Sequence, residues 1–176
     1  MEPSLSPGND VLVFNLGPQH FALPVGQVST VVPRATLTPL PGAPAELIGL
    51  LRLRGALCPV IDIRVRLGLP AGVPHIGERI VVMRTSTFGV GLLVDGIVGL
   101  VVVPMEAAID RPAISGGDRS RPAESSTERG LVRGVVEVAG QVVATLDAEA
   151  AVGADVRVYL TATADGLHGF VGQTAA

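Results

Sequence analysis

The chain has 176 residues, 48% of them hydrophobic and only 3% aromatic, with a formal net charge of −3. That is apolar material enough for one domain or two small ones, but it supplies neither the basic excess of a general nucleic-acid binder nor a stacking platform of aromatic rings. All 13 basic residues are arginine and Cys58 is the only cysteine, so no intramolecular disulfide forms and a reducing, cytoplasmic setting is expected.

The opening MEPSLSPGND has no basic run and no apolar core, and does not read as a signal peptide. Short β-branched runs then recur between Gly, Pro and polar residues, the pattern of a mainly β protein. VLVFNLG (11–17) and HFALPV (20–25) predict a hairpin around Gly17-Pro18-Gln19, followed by VSTVV (28–32) and a proline-rich connector. GLLRLRGALCPVIDI (49–63) predicts two strands joined at Gly55. Alternation along the first places Leu51 and Leu53 on one face, and Arg52 and Arg54 on the other. After a polar loop come IVVMRT (80–85), TFGVGLLV (87–94) and GIVGLVVV (96–103). The longest apolar run is interrupted by Asp95 and falls short of the ~18 residues of a membrane helix, so no direct membrane insertion is expected. Residues 105–130, rich in Pro, Ser, Gly and charge, predict a mobile loop. LVRGVVEV (131–138) and QVVATLD (141–147) close the regular part. A tail, 153–176, follows, in which VRVYLTA alternates like a strand.

One internal repeat organises these pieces. Residues 49–68 align without gaps on 134–153, matching Gly49 with Gly134, Gly55 with Gly140, Asp62 with Asp147 and Gly68 with Gly153. Asp62 and Asp147 predict N-caps of one-turn helices, and Gly68 and Gly153 left-handed stops. The inferred architecture is two similar small barrels in tandem, approximately 11–70 and 80–152, with strands free to cross between them. The repeat is also a control. Arg52 is matched by Glu137 and Arg54 by Ala139, so the local fold does not demand either arginine.

The run Arg52-Leu53-Arg54-Gly55-Ala56-Leu57-Cys58-Pro59-Val60-Ile61-Asp62-Ile63 resembles the N-L-R-G-x-x-x-P-V-x-D-L signature of the CheW-like coupling proteins of bacterial chemotaxis. TPLPGAP ahead of Gly49 and GLLVDGIVGL (91–100) agree with the same family, and the resemblance spans roughly residues 11–152. It implies two SH3-like five-stranded β barrels with short helical turns, no enzymatic activity and no cofactor. It also implies an adaptor in a two-component system, recruited to membrane receptor arrays. Its partners would be the regulatory domain of a histidine kinase and the signalling tip of a methyl-accepting chemoreceptor. Two positions depart from the family pattern: Arg52 stands where Asn is usual, and Thr30, in Val28-Ser29-Thr30, stands where an acidic residue is frequent. They leave open a divergent scaffold that binds receptors or related proteins without engaging the kinase.

The residues carried into a partner site are Arg54, Arg52, Val28, Thr30, Gly49 and Asp95, while Gly55, Asp62, Gly68, Gly140 and Asp147 are read as structural. Each candidate has a plainer alternative: Arg54 paired within its own barrel with Asp62 or Asp95, Val28 as core, Asp95 as a turn former. A small enzyme using Cys58, with His20 or His75 as base, is a remote alternative, because no motif supplies an oxyanion hole. His20, His75 and His168 lack cysteine companions, so no metal site is expected.

Overall fold

The alternating runs form strands where the sequence places them. A computed structural model describes residues 10–103, 108–110 and 130–164. The strands are β1 (Asp10–Leu16), β2 (Gln19–Pro24), β3 (Val28–Pro33), β4 (Leu47–Leu53), β5 (Ala56–Ile61), β6 (Arg79–Arg84), β7 (Gly89–Val94), β8 (Gly96–Val102), β9 (Ala108–Asp110), β10 (Val132–Val138) and β11 (Gln141–Leu146). Two helices follow, α1 (Ala148–Ala151) and α2 (Ala154–Ala164). Most of the 105–130 loop, with the tail beyond 164, lies outside the described residues. Within that loop, however, β9 pairs with β10, so 108–110 belong to a sheet.

The repeat holds at the level of single residues. β4 and β5, displaced by 85 positions, coincide with β10 and β11 at both ends. Even the irregularity near the start of each hairpin recurs, between Leu47 and Gly49 and between Val132 and Gly134. A bulge bends a strand and raises its twist, which suits the tight curvature of a small barrel. One sheet runs β8-β1-β2-β11-β10-β9 and the other β3-β6-β7-β5-β4. Setting aside β9, the two have the same order: a single edge strand, an antiparallel hairpin, a parallel junction, then the repeated hairpin. The parallel junctions are β2 with β11 and β5 with β7.

That correspondence exposes an exchange. β3 follows the β1–β2 hairpin in sequence but pairs with β6 in the other sheet, and β8 follows β7 but pairs with β1. Each sheet thus combines strands from both halves of the sequence: β3 to β5 with β6 and β7 in one, β1 and β2 with β8 to β11 in the other. The division at 11–70 and 80–152 is corrected accordingly: β1 and β2 belong with β8 to β11, and β3 to β7 form the second sheet.

Three apolar clusters form among the described residues. Val11, Val13, Ala22, Val103, Val136 and Val143 form one small core on the first sheet, and Leu51, Cys58, Val60, Ile80, Val82 and Leu93 its counterpart on the second. The largest cluster takes residues from both sheets and both helices, among them Phe14, Leu23, Met83, Leu92, Leu146 and Val156. Phe14 stacks on Phe21 across the β1–β2 hairpin at 6.2 Å. The two barrels therefore share their main core.

Two local expectations change. Asp147 caps α1 by accepting the Ala150 N–H at 3.0 Å, but Asp62 heads a turn instead, accepting the Arg64 N–H at 3.0 Å. Gly68 is left-handed at φ 64°, and no positive φ occurs at Gly153. The strand-like VRVYLTA is helical in α2, with Val156 and Leu160 buried one turn apart.

Candidate docking surfaces

In the β4–β5 hairpin Leu53 and Ala56 are the last partners. Arg54 and Gly55 are thus a two-residue loop, with φ of 51° and 84°. Positive φ at both places is the type I′ pattern, which matches strand twist and favours Asn or Gly at the first place. A side chain such as arginine meets local steric strain there. The twin hairpin has the same backbone, with φ of 50° at Ala139 and 78° at Gly140. Arg52 and Arg54 consequently do not share a strand face: Arg52 pairs with Leu57 inside β4, while Arg54 stands in the turn. Both are exposed, and neither side chain makes a hydrogen bond or ion pair with a described residue.

The carboxylates once open as partners for Arg54 are taken by Arg64. This guanidinium is 3% exposed and donates to Asp62 at 2.9 Å and to Asp95 at 2.5 Å. Asp95 also accepts the Gly17 N–H, and its own N–H donates to the Asn15 carbonyl at 3.0 Å. Burial pushes the Asp95 carboxyl up, but the Gly17 N–H, Arg64 and His75 together hold it below its ordinary value. Burial likewise pushes Arg64 down, and the hydrogen bonds and charges of Asp95 and Asp62 carry it above its ordinary value. Asp95 lies where the chain leaves β7 for β8, so this cluster ties the strand crossover to the β1–β2 turn.

Gly49 is also structural. It is buried at φ 151°, and a Cβ would lie 2.8 Å from the Thr38 carbonyl, where the 37–38 segment crosses β4. Val28 is half-buried against the main core, and Thr30, also half-buried, pairs with Val82. Of the six carried candidates, Arg52 and Arg54 share one exposed hairpin, Val28 and Thr30 share β3, and Gly49 and Asp95 are committed inside the fold.

A second surface was not among the sequence candidates. On β8, Val98, Leu100 and Val102 are 52%, 71% and 68% exposed. Leu100 pairs with Leu12, which belongs to the main core, so Leu100 and Val102 lie on the sheet face that carries that core. On β3, exposed Val31 pairs with Val81, again a main-core residue. β3 and β8 thus each carry apolar side chains into solvent at an edge of their own sheet. GIVGLVVV is apolar at every position that is not glycine, so the sequence does not tell which of its side chains face solvent.

Cys58 is fully buried, and burial pushes its thiol up to about 11 against a backbone hydrogen bond at Gly91. At neutral pH it stays protonated, whereas a nucleophile requires the thiolate. Among the described residues no group of three His, Cys, Asp or Glu is placed to hold a metal ion, and no helix is long and apolar enough to cross a membrane.

Two sheets with a shared core present an exposed arginine turn and exposed apolar edges, and the described residues form surfaces of this kind rather than a catalytic or metal centre. The CheW-like domain family matches residues 10–156. A chemotaxis protein CheW of Rhizobium meliloti is 30% identical over 140 residues, 80% of this chain and 84% of that one. A probable chemotaxis protein CheW of Rhizobium etli is 30% identical over 148 residues, 84% and 90% of the two chains. The crystal structure of the scaffolding protein TtCheW from Thermoanaerobacter tengcongensis superimposes with a TM-score of 0.71 at 20% identity, covering 85% of this chain and 95% of that one. The chain belongs to the CheW-like domain family.

Proposed function

We propose that the protein is a non-catalytic adaptor that joins a methyl-accepting chemoreceptor to the regulatory domain of a chemotaxis histidine kinase on the cytoplasmic side of a membrane array. The Arg52–Arg54 hairpin is the contact for the kinase domain, and the exposed apolar edge of β8, Val98, Leu100 and Val102, takes the receptor's signalling tip. The observation that carries this reading is Arg54 itself. It is exposed, unpaired among the described residues and held at a positive φ in a turn that its twin builds with Ala139. An arginine fork suits carboxylate recognition, and such residues recur among interface hot spots. The fully buried, protonated Cys58 favours this reading over a thiol enzyme.

Arg54→Ala is expected to weaken binding of the kinase regulatory domain by about 1–3 kcal/mol, read by calorimetry, and to leave the far-UV spectrum and the unfolding midpoint in place. Unchanged affinity would remove the hairpin from the site. Binding of the receptor tip, measured separately, distinguishes the adaptor from a scaffold that has lost its kinase. Thr30 and Arg52 motivate that comparison, and a chain that binds the receptor but not the kinase would overturn the coupling role.

A further inference from the structure

Residues 69–77 form a strap over the Arg64–Asp95 pair, and its contacts take no part in the docking surfaces. The strap closes one side of a cavity of about 520 Å³, whose other side is the β1–β2 turn, Asn15 to Gln19. Gly72 lies against the Arg64 guanidinium so closely that a Cβ would approach its central carbon to 2.9 Å. At the end of the strap, His75 Nδ1 accepts the Gly77 N–H at 3.0 Å. The imidazole sits over Gly77, where a Cβ would lie 2.9 Å from two ring atoms. The opposite nitrogen, Nε2, is 3.7 Å from Asp95 Oδ1. That is too long for a hydrogen bond, but close enough for an ion pair once the ring is charged.

The two ring nitrogens therefore face incompatible demands. Nδ1 accepts from Gly77 only while it carries no proton. A proton taken from solvent at Nδ1 sets one N–H against another, breaks the Gly77 bond and gives the ring a charge that Asp95 attracts. The other charged groups around the turn favour a confined change. Arg79 Nη1 donates to the carbonyls of Ile76, Gly77 and Glu78 at 3.2, 3.0 and 2.9 Å. Glu78 is committed to Arg34, and Arg64 remains between Asp62 and Asp95. The carbonyl side of the turn thus stays anchored while its ring side is released. Val73 and Ile76, 81% and 101% exposed, ride on the same strap.

We propose that His75 is a proton-operated catch: neutral, it clasps Gly77 and holds the strap closed; protonated, it leaves Gly77 for Asp95 and shifts the exposed Val73 and Ile76. This is independent of which partners dock at the hairpin or the β8 edge.

Nuclear magnetic resonance on the labelled full chain tests it between about pH 8 and pH 5, the range over which histidine changes charge. At the upper end, His75 should carry its proton on Nε2. On acidification the Gly77 amide should lose protection from exchange roughly fivefold to tenfold, after correction for the intrinsic rate, as one hydrogen bond of ordinary strength is lost. The Val73 and Ile76 methyl resonances should move with the same midpoint as the His75 ring. His75→Asn supplies an acceptor for the same N–H, the usual Asx-turn bond, that does not titrate in this range. In that variant Gly77 protection and the methyl positions should be constant. A proton on Nδ1 at pH 8, a Gly77 amide indifferent to the ring's titration, or the same changes in His75→Asn would each overturn the proposal.

Discussion

Asp95 shows how a residue read as a docking contact can be more valuable inside the fold. Its carboxylate meets three elements at once: the Gly17 N–H of the first turn, the Arg64 guanidinium and, at longer range, His75. Arg64 has little water to fall back on, at 3% exposure. Removing one counter-charge from such a group leaves much of its desolvation uncompensated. The Asp95 carboxyl is held below the ordinary carboxylate range in the fold. Its stabilisation is therefore complete above the unfolded value of about 3.9 and fades as pH falls through the lower folded value. Asp95→Asn keeps an oxygen for Gly17 but drops the charge. It is expected to destabilise the protein by about 2–3 kcal/mol at pH 7, with the difference from the parent shrinking below about pH 4. Urea midpoints at pH 7 and pH 3 check this, and an equal deficit at both would place the effect in packing.

At the level of elements, β3 and β8 matter most, because each lies at an edge of its sheet and carries apolar side chains out to solvent. Leu100 is 71% exposed beside Leu12, so Leu100→Asp should alter stability by no more than about 0.5 kcal/mol. A charge in the middle of an apolar edge should nevertheless abolish binding of the receptor tip in a pull-down. Retained binding would move that partner elsewhere. Much of this framework was legible in the sequence, because period-two alternation reports which residues turn inward and the 85-residue repeat fixed both hairpins end to end. Alternation does not say which sheet a strand joins, and so the exchange of β3 and β8 was invisible. Nor does it separate a β-branched helix from a strand over a few residues, hence the misreading of VRVYLTA, where Val156 and Leu160 supply the buried stripe. The Arg64 cluster was hidden for a different reason. Asp95 lies 31 residues from Arg64 and 78 from Gly17, and nothing local marks such partners.

For the molecule as a whole, the distribution of apolar residues decides whether two barrels make two folding units. Each barrel has a private core of six buried residues, too few to offset the conformational entropy of ordering some five strands. The shared cluster is much larger and draws on β1, β2, β6, β7, α1 and α2 together. The strand order adds to this, since the first sheet takes β1 and β2 from before the second sheet in sequence and β8 to β11 from after it. Unfolding one barrel alone would strip the main core from its partner, so the described body should melt in a single transition. Phe14 is the sharpest probe: it belongs to β1 in the first sheet, is fully buried and lies in the shared cluster. Phe14→Ala should lower stability by about 3–5 kcal/mol. Amide exchange at Val81 and Val82, in the second sheet, should then accelerate as much as at Val13 and Ala22 in the first. Independent barrels would instead leave Val81 and Val82 protected while the first sheet opened, and in that event the shared core would not couple the two halves.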